Sequence, residues 1–360
     1  MNIYLIISIV VLLSYGSLLW WFRRGIGNLN EKTSNTDKPS ISVIVALKNE
    51  EKNVRSMVRS LNEIDYPDEL LEIILVNDHS TDGTQERLNA FQSNAIQVYL
   101  NEGKGKKSAI LTGVKKAKGD WIAVTDADCK VPQLWLKSLT KSITRQIKMV
   151  LGPVFIQNES KGFLEIFQQI EFLGLQGATA GSAGVEHPIS ANGANMLFHK
   201  VTFNEIQPYE DNIDLNTGDD QFLMMKMVSE KGAEAVTYCW EQNASVLTKA
   251  VPTWSKYFTQ RIRWASKGTA YKDLTIVSIG ALVILSSLWV GISIVFGLSS
   301  RDYLLSLGVL GGKLLIDLII IKPTLKLAQG KVSFFQYLFS GIFYPFVVVV
   351  SALAGIFRRI

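Results

Sequence analysis

Cysteine is nearly absent. The 360 residues hold two, Cys129 and Cys239, with no Cys-x-x-Cys spacing. That excludes a disulfide-stapled secreted fold and leaves two free thiols. Histidine is equally scarce: His79, His187 and His199 do not make a metal-ligand spacing. Charge is thin as well, at 19% of residues, against about 25% in an ordinary soluble domain. The shortage rules out a disordered chain and argues against a wholly soluble one. No internal repeat or low-complexity tract is visible. The phosphate loop Gly-x-x-x-x-Gly-Lys-Ser/Thr is missing too. Gly103-Lys-Gly-Lys-Lys107 matches only part of a dinucleotide fingerprint, because Ser108 stands where its third glycine would be, so a dehydrogenase has weak support.

What the chain has instead is apolar residues, 48% of the total, with a mean hydropathy of +0.18. They gather at the two ends. Ile3–Phe22 is an uncharged run with Trp20 and Trp21 at its far edge, and Arg23 and Arg24 follow at once. About 20 apolar residues cross a bilayer core, and interfacial aromatics and cytoplasmic basic residues flank such spans. A signal peptide would carry its basic residues first and a cleavage site after, so an uncleaved anchor is expected. Three more apolar segments follow late in the chain: Leu274–Leu298, Tyr303–Ile321 with Lys313 and Asp317, and Phe334–Phe357 with Pro345. Lys313 and Asp317 are four apart and predict a pair on one helix face, either a functional site within the membrane or, as the favoured reading, mutual neutralisation at a helix–helix contact. The expected division is an anchor over 1–24, a polar linker over 25–39, a catalytic domain over 40–272 ending in an interfacial helix at 250–270, and a membrane region over 273–360. The expected location is the inner cell membrane, multi-pass, with the catalytic domain cytoplasmic. Arg358 and Arg359 would then fall outside, against the charge rule, unless Pro345 breaks the last segment and makes it re-entrant. The net charge of +5 fits membrane headgroups and an anionic substrate, and no nucleic acid is expected as a partner.

The middle of the chain alternates strand and helix. Ile41–Leu47, Leu71–Val76, Ala95–Leu100 and Trp121–Thr125 read as strands, with helical stretches between them. This pattern predicts an α/β domain with a largely parallel sheet. Ligands bind beyond the carboxyl ends of such strands. Asn49 and Glu50, Asp78, Lys104 and Lys106, and Asp126 and Asp128 all stand at those ends. Asp126 and Asp128, two apart on extended chain, share a face and suit a hard divalent cation such as Mg²⁺ or Mn²⁺; a solvated pair is the plainer alternative. Asp219 and Asp220 start an apolar stretch and can be helix caps or a general base. Gln260, Arg263 and Trp264 share one face of an amphipathic stretch and offer an amide, a cation and a ring. His187-Pro188 and the glycine-rich 174–184 region suggest a mobile loop.

Taken in order, these motifs resemble the processive family 2 glycosyltransferases, the group of cellulose, chitin and hyaluronan synthases. The matches are Val43–Glu50, Val76–Thr84, Asp126-Ala-Asp128, Ala191–Met196, Gly218-Asp219-Asp220 and Gln260-x-x-Arg263-Trp264. Asn77 stands where the second segment usually has an acid, and Gly218 stands for a threonine, as in the hyaluronan and chitooligosaccharide branch. The resemblance implies a GT-A (nucleotide-diphospho-sugar transferase) domain with α-helical transmembrane segments, a UDP-sugar donor, and a saccharide or lipid acceptor. It implies donor contacts from Asn49, Glu50, Asp78, Lys104, Asp126 and Arg263, and metal binding by Asp128 with Asp126. It implies Asp220 as general base beside Asp219, and Asn195, Gln260 and Trp264 on the acceptor side. The product would be a β-linked oligo- or polysaccharide; a lipid enzyme adding one sugar, like ceramide glucosyltransferase, carries the same Gln-x-x-Arg-Trp.

Overall fold

The computed structural model describes residues 3–29, 38–159, 162–213, 215, 217–266 and 273–357. Most of the expected linker, and Asn216, Lys272, Arg358 and Arg359, lie outside the described residues. In chain order the elements are α1 (Ile3–Leu29), β1 (Ile41–Leu47), α2 (Val54–Asn62), β2 (Leu71–Asn77), α3 (Thr84–Asn89), β3 (Ile96–Leu100), α4 (Lys106–Lys116), β4 (Trp121–Asp126), α5 (Trp135–Lys141), β5 (Met149–Leu151) and β6 (Val154–Ile156). Then come α6 (Phe163–Gly184), β7 (Met196–His199), α7 (Lys200–Ile206), α8 (Asp219–Lys231), β8 (Val236–Tyr238), β9 (Val246–Thr248), α9 (Trp254–Ser266), α10 (Leu274–Ser300), α11 (Tyr303–Leu327) and α12 (Phe334–Phe357). They form two compact units, one of residues 25–157 and 179–249, the other of 1–24, 158–178 and 250–360.

The first unit is built on a seven-stranded sheet of order β3-β2-β1-β4-β7-β5-β8. The four strands expected from sequence are parallel neighbours, with Ile41 opposite both Leu71 and Trp121. β7 alone runs antiparallel, paired to β4 on one side and β5 on the other. β1 is a continuous β-branched run because both of its faces are covered: Val43, Ile44 and Val45 are fully buried. Central parallel strands need this, and each such side chain contributes at most about 1.5–3 kcal/mol by burial. β6 and β9 pair in parallel as a separate two-stranded sheet.

The glycine-rich 174–184 region is not a loop. It forms the second half of α6, a 22-residue helix. Its glycines serve close packing: a Cβ on Gly184 would meet Gly25 O at 2.0 Å, and one on Gly25 would meet Gly181 O at 1.9 Å. Small residues let two helix backbones touch there, and a longer side chain would force them apart.

The second unit holds α1 up to Arg24, the first part of α6, and α9–α12. The helices α1, α10, α11 and α12 are each long and apolar enough to cross a membrane. Pro345 lies inside α12 without ending it. Tyr4 stacks on Phe296 at 4.5 Å and Trp289 Nε1 donates to Ser8 Oγ at 3.0 Å, so α1 packs on α10. Lys313 pairs with Asp317 at 2.8 Å, as their spacing predicts. Tyr15 on α1 donates to the other oxygen of Asp317 at 2.7 Å, and its ring lies 4.9 Å from the Lys313 ammonium. The cluster is charge-balanced and buried, the arrangement an ion pair in hydrocarbon requires.

Candidate active site

Six strands of the large sheet run in one direction, so their carboxyl ends share one edge. The reversal of β7 brings its amino end, and the 191–195 segment before it, to that same edge: Met196 lies opposite Val124, two residues before Asp126.

Two loops at this edge are bolted together. Asn49 sits in the left-handed region at φ 58°, which Asn tolerates better than most residues. Its backbone N–H donates to Ser80 Oγ at 2.9 Å, and its side-chain oxygen accepts from Thr81 N at 2.8 Å. Glu50 N–H donates to Thr84 Oγ1 at 2.8 Å, and Glu50 accepts from Asn53 at 2.7 Å. Burial pushes the Glu50 carboxyl above its ordinary value; the Asn53 bond opposes this, while Asp128, Asp126 and Asp82 add to it. Asn77 bonds Gln85 and the Ser80 N–H, so an amide with both a donor and an acceptor fits this position. Asp78 is buried. It accepts from Asn101 Nδ2 at 2.7 Å, from Gly105 N at 2.9 Å and from Lys48 at 3.2 Å. Burial raises its carboxyl, but these three partners outweigh it and hold the group below the ordinary aspartate range.

The lysine at the centre is Lys106, not Lys104. Lys104 is exposed. Lys106 opens α4, and its Nζ lies 2.6 Å from Asp126 Oδ1 and 3.0 Å from Asp219 Oδ2. A third of its side chain is exposed, but the ammonium lies among carboxylates. Burial alone would depress its pKa; Asp126, Asp219 and Asp220 lift it well above the ordinary value, so it stays protonated. Asp219 starts α8 behind Gly218, which takes φ +86°. Asp219 is buried, and its Oδ2 accepts no well-aligned hydrogen bond. Burial raises its carboxyl, Lys106 opposes this, and Asp220 and Asp126 add to the rise. Asp220 accepts from Gln221 N at 2.8 Å and from Gly193 N at 3.2 Å. Gly193 lies close against this cluster: a Cβ there would meet Lys106 Nζ at 2.9 Å and Asp219 Oδ2 at 3.0 Å, so a side chain would push the ammonium aside. Segments far apart in sequence thus meet around one ammonium.

The carboxylates of Asp126 and Asp128 and the thiol of Cys129 lie within 4.8 Å of one another. Asp128 is exposed and Asp126 half-buried, so the pair opens toward solvent. Cys129 is buried, its thiol 3.5 Å from Asp128 Oδ1. Burial, with Asp126 and Asp128 beside it, keeps the thiol protonated. The donor set that remains is two carboxylates with an open side, which fits a hard cation that keeps other ligands from water or phosphate.

Asn195 corrects the expectation that it faces an acceptor. It is fully buried. Its Nδ2 donates to Pro153 O and Ala244 O, both at 2.8 Å, and its Oδ1 accepts from Trp135 Nε1 at 2.8 Å. It is a strut joining three segments. Its spelling beside Gly193 gives no hint of this, because burial depends on distant residues. Gln260, Arg263 and Trp264 belong to the other compact unit, on α9. There Gln260 accepts from Arg261 Nη1 at 2.6 Å, Trp264 lies against the Arg261 guanidinium, and Arg263 is exposed.

Residues 42–205 match the family model for Glycosyl transferase family 2. The chain is 30% identical over 265 residues to poly-beta-1,6-N-acetyl-D-glucosamine synthase of Staphylococcus aureus (strain COL), covering 70% of this chain and 61% of that one. It is 28% identical over 264 residues to the probable glycosyltransferase YdaM of Bacillus subtilis (strain 168), covering 69% and 59%. It therefore spans about three fifths of the length of these relatives. The mannosyltransferase PcManGT of Pyrobaculum calidifontis, solved with GDP-Man and Mn²⁺, superposes with a TM-score of 0.61 at 16% identity, covering 97% of this chain and 99% of that one. The likeness is one of fold, the GT-A fold expected from sequence, joined here to four helices able to span a membrane.

Proposed function

Because the chain carries a family 2 glycosyltransferase domain, we propose that it is an inverting membrane glycosyltransferase that moves a sugar from a UDP-sugar donor into a β-linked oligo- or polysaccharide. The observation that carries this reading is Lys106, whose ammonium joins Asp126 of the donor-side motif to Asp219 of the acid pair. One site then has a diphosphate end and a base end.

Asn49, Glu50 and Asp78 hold the nucleoside. Mg²⁺ or Mn²⁺ on Asp128 and Asp126 would neutralise charge on the donor diphosphate. Lys106 faces the same charge, in the kind of fixed electrostatic setting that stabilises a leaving group. Asp220 is the general base, and its two backbone donors fix the orientation of its carboxylate. The acceptor hydroxyl gives its proton to Asp220 as its oxygen bonds to the anomeric carbon, and the bond from that carbon to the diphosphate oxygen breaks, releasing UDP. Attack from the far face turns an α-linked donor into a β-linked product. Gln260, Arg263 and Trp264 serve the diphosphate and the acceptor end. The domain faces the cytoplasm at the inner membrane, and the acceptor is a saccharide or a membrane lipid.

The test is a donor screen on membranes with UDP-glucose, UDP-N-acetylglucosamine, UDP-galactose, UDP-glucuronate and GDP-mannose, followed by product sizing. A UDP-sugar-dependent product of several β-linked sugars is expected. A single-sugar lipid product would replace the polymer reading with that of a lipid glycosyltransferase. Turnover with GDP-mannose alone would overturn the UDP assignment. EDTA should abolish activity and Mn²⁺ or Mg²⁺ restore it.

A further inference from the structure

Between Gln260 and Arg263 the chain places Arg261, a position that the Gln-x-x-Arg-Trp spelling leaves free. The structure gives it a built environment. Its side chain is 5% exposed, as is that of Glu171 on α6. The two meet through a bidentate fork, Nε to Oε1 at 2.8 Å and Nη2 to Oε2 at 2.5 Å. Tyr257 Oη donates to the same Oε1 at 2.9 Å. The third guanidinium nitrogen, Nη1, donates to Gln260 Oε1 at 2.6 Å. The guanidinium carbon lies 4.2 Å from the Trp264 ring centre, 4.5 Å from that of Tyr257 and 5.7 Å from that of Phe172.

We propose that Arg261, clamped by Glu171, is the positioning residue that sets the orientation of Gln260 and Trp264. One planar group touches both of them, by a directional bond on one edge and by its face on the other. A lysine has neither the fork nor the plane. Glu171 is needed because a buried guanidinium without a counter-ion leaves its site or unfolds it. The inference rests on the reading that Gln260 and Trp264 serve the donor and acceptor.

The test uses the full-length protein in nanodiscs, with donor kcat and KM, UDP affinity and thermal midpoint measured for each variant. Arg261→Lys should keep the fold and cut kcat about 10–100-fold. Glu171→Gln should cut it several-fold. The decisive readout is a double-mutant cycle: Arg261→Lys with Gln260→Ala should be no worse than the more severe single change, because the two act as one unit. Multiplying losses, or wild-type kcat in Arg261→Lys, would overturn the proposal. If Arg261→Lys does not fold, Tyr257→Phe, which removes one bond to Glu171, should lower kcat at an unchanged midpoint; unchanged kcat there would overturn it as well. Arg263→Ala separates the two failures. Full turnover in that variant would sink the underlying reading of α9, whereas a large loss in it beside a silent Arg261→Lys would sink the positioning role alone.

Discussion

Two partly or wholly buried lysines show how differently one charged group is used in the two units. Lys313 faces one carboxylate, Asp317, and a tyrosine hydroxyl. Its charge is matched, its neighbours are satisfied, and nothing further is needed. Lys106 faces Asp126 and Asp219, with Asp220 close enough to act on it. That cluster is short of positive charge. The first is a single acid–base pair; the second gathers several carboxylates around one ammonium. Sequence shows the first through a spacing of four and gives no such sign of the second.

The contrast has measurable edges. The largest effect should come at Asp220. Asp220→Asn is expected to lower turnover about 10²–10⁴-fold while calorimetry finds UDP binding intact; unchanged turnover would remove the base assignment. Next, Asp317→Leu should strip the matched pair of its acid and cost about 3–5 kcal/mol, read as a lower unfolding midpoint in detergent. Adding Lys313→Leu should recover most of that loss, and no recovery would mean the pair is more than a mutual neutraliser. Third, Asp219→Asn should do the reverse: with no donor present the protein gains up to about 1 kcal/mol, since burial and two other acids already disfavour its charge, while activity falls. A lower midpoint instead would mean the cluster is balanced after all. The smallest effect concerns Asp78. Its folded pKa lies below the ordinary 3.8, so its ionised form stabilises the fold above that value and the benefit fades as pH drops through the folded pKa. Asp78→Asn should be less stable than wild type by roughly 1 kcal/mol at neutral pH, with the gap starting to close near the ordinary aspartate pKa and vanishing below the lowered folded one. A gap that stays constant down to pH 3 would remove the ionic argument.

The parallel half of the sheet was legible because β-branched runs such as Ile41–Leu47 have few other uses, and because their ends carry polar residues in a repeated pattern. Apolar length alone predicted four helices able to span a membrane, and a spacing of four predicted Lys313 with Asp317. The rest depended on contacts that spelling does not encode. Lys104 and Lys106 differ by two positions, and only the start of α4 decides which ammonium turns to the acids. The glycines of 174–184 looked like freedom and turned out to be contact, because Gly25 approaches them from another helix. Asn195 looked like a reader of substrate and is a strut. Glu171 carried no signal at all: an acid in an apolar helix declares itself only when a guanidinium lies against it.

The reversal of β7 separates two inheritances within one sheet. The parallel strands present the loops that carry Asn49, Glu50, Asp78 and Asp126, while the turn into β7 and the start of α8 present Gly193, Asp219 and Asp220. β7 joins the frame by pairing with β4 and β5, and the buried amide of Asn195 before it bonds Pro153 O and Ala244 O. On the proposed assignment, exchanging β7 and the start of α8 for a relative's, with Asn195 kept, would alter the acceptor side and leave the donor side as it is.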